Sequence, residues 1–487
     1  MTLTILVHPL RIKVLGQVKN KVLLTACLLL PLVFASSMSW GMSLSQAILQ
    51  AQQQDPWLDG SQQKEYALRA QGLASDSLPN PELSFGLLNV PSDGFALDQE
   101  PMTQFKVGVK QSFTRGQSRR ISRQRYQQLA AVQPFLRDDR LKQVALTVTL
   151  MWLDLYQANQ EIALALQLRE TLQQLIDISK ANYATTFASR RNRATQNDVL
   201  MAQLTLAKVD DRIVEINSSK RSTQAKLCQW LAREDGYDDD KPTIAHDEVP
   251  PSLQLQACHL DEAAHQHLPL FSAVPSFVVH EPLNAQTTLN TLQAVVSQHP
   301  RAKAAQQSIS ASEGDVKLAA AQYAPLWGVN LGYAYRQDDA FNQRRADFWS
   351  VSVSMDMPLF SRAKQDNALA AAHHQKEAMR TEYRLVMREM VGQLNDLAVQ
   401  YRQYQKRVAH YEGVILPNIA EQKEVSVANL SHDYGSLELA SEVLITANQA
   451  EFERLALVVK QQKVRAKINY FLPGQSLLSS HDQENRP

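Results

Sequence analysis

Two kinds of hydrophobic spacing divide this chain. In Gln104 to Phe113, the residues Phe105, Val107, Val109 and Phe113 alternate with Gln104, Lys106, Lys110 and Ser112. A period of two predicts a strand with one apolar and one polar face. A later run sets Trp349, Val351, Val353, Met355 and Met357 opposite Ser350, Ser352, Ser354 and Asp356. Each of these runs follows another of the same kind, with Leu83, Phe85 and Leu87 in one and Trp327, Val329, Leu331, Tyr333 and Tyr335 in the other. Gly86, Gly108, Gly328 and Gly332 fall on the opposite faces. Four strands, each roughly ten residues long, are predicted.

Elsewhere the spacing is helical. From Phe135 to Lys241 there is no proline and one glycine, Gly236, while Val144, Val148, Trp152, Leu155, Ile162, Leu166, Leu172 and Ile176 recur near helical spacing. A rod from Ser118 to about Ala181, bent at Pro134, would span on the order of 100 Å at 1.5 Å per residue. Polar breaks at Thr185 to Gln196 and at Ser431 to Ser436 predict that each rod folds back into a helical hairpin. Ala- and Gln-rich helical segments, Leu44 to Ala74 and Leu289 to Gln322, precede the strand pairs.

The same order of parts occurs twice. Gln54-Asp55-Pro56 matches Gln298-His299-Pro300, Pro81 matches Pro325, Phe105 matches Trp349, and Asp198-Val199-Leu200 matches Glu442-Val443-Leu444, always at an offset of 244. A constant offset over such a length indicates duplication. The expected organisation is a signal peptide at 1–39, a first repeat at 40–234, an irregular connector at 235–288, a second repeat at 289–472 and a disordered tail at 473–487. The connector holds Pro242, Pro250, Pro251, Pro269, Pro275 and Pro282.

The N-terminus changes the picture more than composition does. Arg11, Lys13, Lys19 and Lys21 precede the apolar run Val22 to Phe34, and Ala35, Ser36, Ser37 and Ser39 follow, the order of a secretory signal. Leu24-Thr25-Ala26-Cys27 also fits a lipoprotein cleavage box, which leaves Cys27 either lipidated or removed. In an oxidising compartment Cys228 and Cys258 are candidates for a disulfide. The net charge of +1 gives no sign of a nucleic-acid partner. No nucleotide loop, zinc-protease motif or serine nucleophile elbow is present, so neither enzymatic activity nor a cofactor is expected. Cys258, His259, His265 and His267 have no zinc-site spacing, His373 and His374 read as surface residues, and no metal site is assigned.

Four strands of this length suit a tilted bilayer crossing, with the apolar face toward lipid. They cannot close a barrel alone, so copies must share one: two give about eight strands, and three about twelve with room for solute. The alternative is a soluble sheet covered by helices. Trp327, Tyr333, Tyr335, Phe348 and Trp349 are candidates for an aromatic membrane belt, or for ordinary core packing.

The duplicated plan of helix, strand pair and long hairpin resembles the TolC family of outer-membrane efflux proteins. Leu78-Pro79-Asn80-Pro81-Glu82-Leu83, the loop Gln99 to Thr103 and Gln111-Ser112-Phe113 are similar to its heavy-metal branch, and Pro358 to Arg362 to its strand-to-helix junction. The resemblance implies a mainly α fold with a small β part, in which a trimer shares an α-helical barrel and a transmembrane β-barrel with four strands per chain. It further implies a periplasmic adaptor, an inner-membrane pump of the RND type, outer-membrane lipid as surroundings, and passive efflux of heavy-metal cations. Multidrug and type I secretion channels are the alternatives, and a periplasmic coiled-coil scaffold is the alternative of another class.

By the same resemblance, Asp198 and Glu442 constrict the pore at its periplasmic mouth, where both also suit the start of a helix. Glu421 and Glu424 extend the acidic stripe. Arg190, Arg191, Arg193, Tyr434, Gly435 and Ser436 lie at the tips that meet the adaptor. The first tip, Phe187 to Gln196, departs from the family pattern in lacking glycine.

Overall fold

The computed structural model describes residues 42–185, 196–232, 285–357, 362–431 and 437–473. The expected signal peptide, most of the connector, the centres of both hairpin tips and all but the first residue of the tail lie outside the described residues.

The first repeat runs α1 (Leu44–Gln53), α2 (Pro56–Ser75), β1 (Glu82–Leu88), β2 (Gln104–Phe113), α3 (Ser118–Ala130), α4 (Val132–Thr185) and α5 (Gln196–Leu231). The second runs α6 (Ala285–Ser297), α7 (Pro300–Ala321), β3 (Leu326–Tyr335), β4 (Phe348–Asp356), α8 (Ala363–His410), a π-helical turn (Tyr411–Ile415), α9 (Leu416–Ser431) and α10 (Leu437–Phe471). The starts of α2 and α7, β1 and β3, and β2 and β4 are each 244 residues apart: 300 − 56, 326 − 82 and 348 − 104.

Proline explains where the structure is more broken than the periodicity predicts. Each leading segment is two helices rather than one, because Pro56 and Pro300 have no N–H to give and fit only the first turn of a new helix. Asp55 and His299 cap those turns, accepting from the N–H of Trp57 and Arg301. The long rod likewise breaks at Ala131, ahead of Pro134, so that the proline falls within the first turn of α4. At 54 residues α4 is still about 80 Å long. The π-helical turn of the second rod stands just before Pro417, whose missing N–H disturbs the ladder there.

Among the described residues, the two largest of four apolar clusters do most to hold the rods together. Leu44, Val148, Trp152, Leu227 and Val459 join α1, α4, α5 and α10. Leu292, Val296, Met390, Leu394 and Ile468 join α6, α8 and α10. Helix α10 therefore packs against both repeats. Polar contacts reinforce the links to α4: Arg140 Nε donates to Asp55 at 2.6 Å, and Arg137 binds the buried Glu65, holding that carboxyl below its usual range.

The seam between the repeats is polar at its centre. His299 is buried, its Nδ1 accepting from Arg301 N at 3.3 Å and its Nε2 donating to the Tyr470 carbonyl at 3.1 Å. The Tyr470 hydroxyl donates to Asp139 on α4 at 2.7 Å, and Gln143 donates to the other oxygen of that carboxyl at 2.8 Å. Burial, with Lys142 nearby, lowers the His299 pKa to about 4, while burial raises the Asp139 carboxyl.

The signs of these two shifts differ. Below its ordinary value of 6.5 the unfolded chain protonates His299, whereas the folded chain does not until about pH 4, so this group withdraws stability as pH falls through that window. Asp139 acts the other way, because the cost of burying its charge is relieved by protonation. Replacing His299 with glutamine should remove up to ~3 kcal/mol of the stability change between pH 7 and pH 4. Urea unfolding across that range checks it, and an unchanged slope would assign the acid sensitivity elsewhere.

Candidate membrane sheet and pore-lining groups

The four strands form one antiparallel sheet in the order β1-β2-β3-β4. Its register assembles the alternating residues into two continuous faces. One row is Phe85, Val107, Tyr333 and Trp349; the next is Leu83, Val109, Leu331 and Val351; Phe113, Trp327 and Met355 line up nearest the helices. The other face collects Ser84, Gly108, Gly332 and Ser350 in one row, and Glu82, Lys110, Asn330 and Ser352 in the next.

The apolar face is uncovered. Phe85 is 66% exposed, and Trp349 and Val351 are each 71% exposed. A sheet packed under helices would bury these side chains. Ten residues of β3 span about 34 Å and, tilted by ~40°, rise about 25 Å, the height of a transmembrane apolar band. Rings stand at both ends of it, Trp327 and Phe113 near the helices and Tyr333, Tyr335, Trp349 and Phe105 near the loops.

Phe348 departs from the expected belt. It pairs with Ala334, which pairs with Lys106, and so lies on the polar face beneath the guanidinium of Arg336, 4.0 Å from its ring centroid. The period of two already places it with Ser350 and Ser352, a signal outweighed by its neighbour Trp349.

The polar face lies flat. Ser84, Ser350 and Ser354 donate to the carbonyls of Gly108, Gly332 and Gly328 across the strands. A Cβ at Gly332 would come within 2.8 Å of Lys106 Cε, so glycine there leaves room for the lysine stem. Both loops emerge at the end away from the helices, where Arg336 and Arg345 donate to the carbonyls of Pro101 and Glu100 and tie the two hairpins together.

At the far end of the rods, Glu442 is exposed in the second turn of α10, and Glu421 and Glu424 are exposed on α9. Counted from the last and first described residues of the hairpin, Glu424 and Glu442 stand about 11 and 8 Å from the tip. Asp198 is the third residue of α5, within its first turn. Arg190, Arg191, Arg193, Tyr434, Gly435 and Ser436 lie outside the described residues, as does Cys258; Cys228 is half-buried on α5. Leu200, Met201 and Leu204 on α5, with Val425, Val427 and Leu439 across the second hairpin, are apolar and exposed. The sequence reading missed these helix surfaces and Arg336, which lies just beyond the last alternating residue.

No protein-family profile and no curated protein matches the sequence. Solved structures do match. The chain aligns with CusC, whose structures address folding and transmembrane channel formation, with a TM-score of 0.68 over 89% of this chain and 92% of that one at 13% identity. For the MtrE outer-membrane channel of Neisseria gonorrhoeae the TM-score is 0.63 over 90% of each chain at 13% identity. For the CmeC outer-membrane channel of Campylobacter jejuni it is 0.63 over 91% and 88% at 10% identity. The chain has the fold of TolC-type outer-membrane channels.

The two faces of the sheet make opposite demands on substitution. Val351→Arg should destabilise the membrane-inserted protein by ~2–4 kcal/mol, whereas Ser352→Arg on the other face should cost little. Denaturant titration in liposomes distinguishes them, and equal losses would contradict the assignment of faces.

Proposed function

We propose that this chain is the outer-membrane duct of a tripartite efflux system, conducting solutes passively and catalysing no reaction. The observation that carries this is the exposed apolar face of a four-stranded sheet whose outer strands, β1 and β4, are open. Open edges are not tolerated in hydrocarbon, where an unpaired backbone group costs several kcal/mol. Neighbouring copies complete the ring, and three copies leave a lumen that solute can pass. The helical hairpins have exposed apolar stripes to pack against one another in the same assembly.

Energy comes from an inner-membrane pump of the RND type. An adaptor bridges it to the hairpin tips around residues 185–196 and 432–437, with Arg190, Arg191, Arg193, Tyr434, Gly435 and Ser436 as the contact residues. Asp198, Glu421, Glu424 and Glu442 ring the periplasmic mouth, where carboxylates from three copies gather cations. Heavy-metal cations are the proposed cargo, on the strength of this acidic mouth and the motifs at Leu78 to Leu83 and Gln111 to Phe113.

A duct remains with outer membranes and is extracted by detergent as a trimer, whereas a coiled-coil scaffold would leave with the soluble periplasm. Deletion should lower growth on copper, zinc, cobalt or cadmium. Unchanged tolerance to all four, together with raised dye accumulation, would move the cargo from metals to drugs and leave the duct intact.

A further inference from the structure

Charge is unevenly matched along the polar face of the sheet. Near the helices it is paired: Lys110 Nζ is 3.2 Å from Glu82, and Arg115 is bound to Asp356. Near the loops it is not. Lys106, opposite Gly86 and Ala334, has no ion-pair partner among the described residues, and its stem crosses the space left by Gly332. Arg336 is two residues beyond Ala334 and therefore on the same side of the pleat. Its guanidinium donates to the carbonyls of Ala346 at 2.8 Å and Pro101 at 3.2 Å and covers the Phe348 ring. Those acceptors are neutral, so the guanidinium is fixed in place without an ion pair among the described residues, and the carboxylate that feels its charge, Asp347, is not a partner in those bonds.

The Tyr333 hydroxyl, and after it Arg336, hold the Asp347 carboxyl below its usual range, but that carboxyl spends its hydrogen bonds on groups other than the guanidinium. Asp347 lies on the other side of the pleat, where it accepts the Tyr333 hydroxyl and the Arg336 main-chain N–H. The loops also carry acids. Asp339 accepts from the N–H groups of Phe341 and Gln343, and Asp93 accepts from Gln99. Asp98, Glu100 and Asp338 stand with Arg344 and Arg345 in the loops past the strand ends. There, water and salt screen them over ~8 Å, whereas charges on a low-dielectric wall project into the lumen.

We infer that Lys106 and Arg336 form a cationic collar inside the outer end of the barrel, six charges in a trimer, which favours anionic solutes at the exit and retards free cations. The inference rests on the duct reading and narrows it: a metal leaving by this route would pass as a neutral or anionic complex.

The test is conductance of the purified full-length protein in planar bilayers at low salt, with hexacyanoferrate(II) as a multivalent anion added to both sides. It should reduce the current of the wild type. Lys106→Gln combined with Arg336→Gln should raise the half-blocking concentration by roughly tenfold, and Lys106→Arg should leave it near the wild-type value. Equal block of wild type and double variant would overturn the collar, as would a wild-type channel indifferent to the anion and closed by spermine. Should the double variant fail to insert, the wild-type response to the two probes still decides. A wild-type protein that gives no conductance at all would instead remove the duct.

Discussion

Under the duct reading, backbone hydrogen bonding in hydrocarbon is the constraint on which the rest of this structure depends. A bilayer offers no water to an unpaired N–H or C=O, so a membrane sheet must close on itself. Among the described residues this chain supplies four strands and leaves two edges open. Under the duct reading, closure by neighbouring copies follows, and with it the symmetry, the lumen and the side-by-side packing of the rods. Helix α10 matters in this setting because it packs on both repeats and so joins their rods into one body.

Much of this was legible in the sequence because strands of a sheet with one apolar and one polar face must alternate strictly. Gln104–Phe113 was found residue for residue, and the glycines fell on the face opposite the rings. The rods of the first repeat were equally clear from the absence of proline between Phe135 and Lys241. What the pattern hid were events smaller than its period. The breaks before Pro56 and Pro300 follow from a missing N–H rather than from a change in hydrophobicity, while at Pro134 the bend named from the sequence is a full break. Phe348 was assigned by residue type, although its parity placed it with the serines.

The proposed pore-lining groups were harder to read. Asp198, Glu421, Glu424 and Glu442 were reached through the resemblance, because an exposed acid on a helix has no local signature that separates a pore wall from a solvated surface. Lys106 and Arg336 come together only through the register of β2 with β3, which brings residues 230 apart in sequence (336 − 106) to one end of one face. Under the duct reading these groups make the pore electrically two-ended, acidic at the periplasmic mouth and basic inside the exit.

Amide hydrogen exchange of the membrane-inserted protein tests the shared barrel most directly. The N–H groups of β1 and β4 that have no partner within the chain should be as protected as those of β2 and β3, because a neighbouring strand accepts from each. Exchange at β1 and β4 as fast as at an open sheet edge, with β2 and β3 still protected, would contradict a barrel built from several copies.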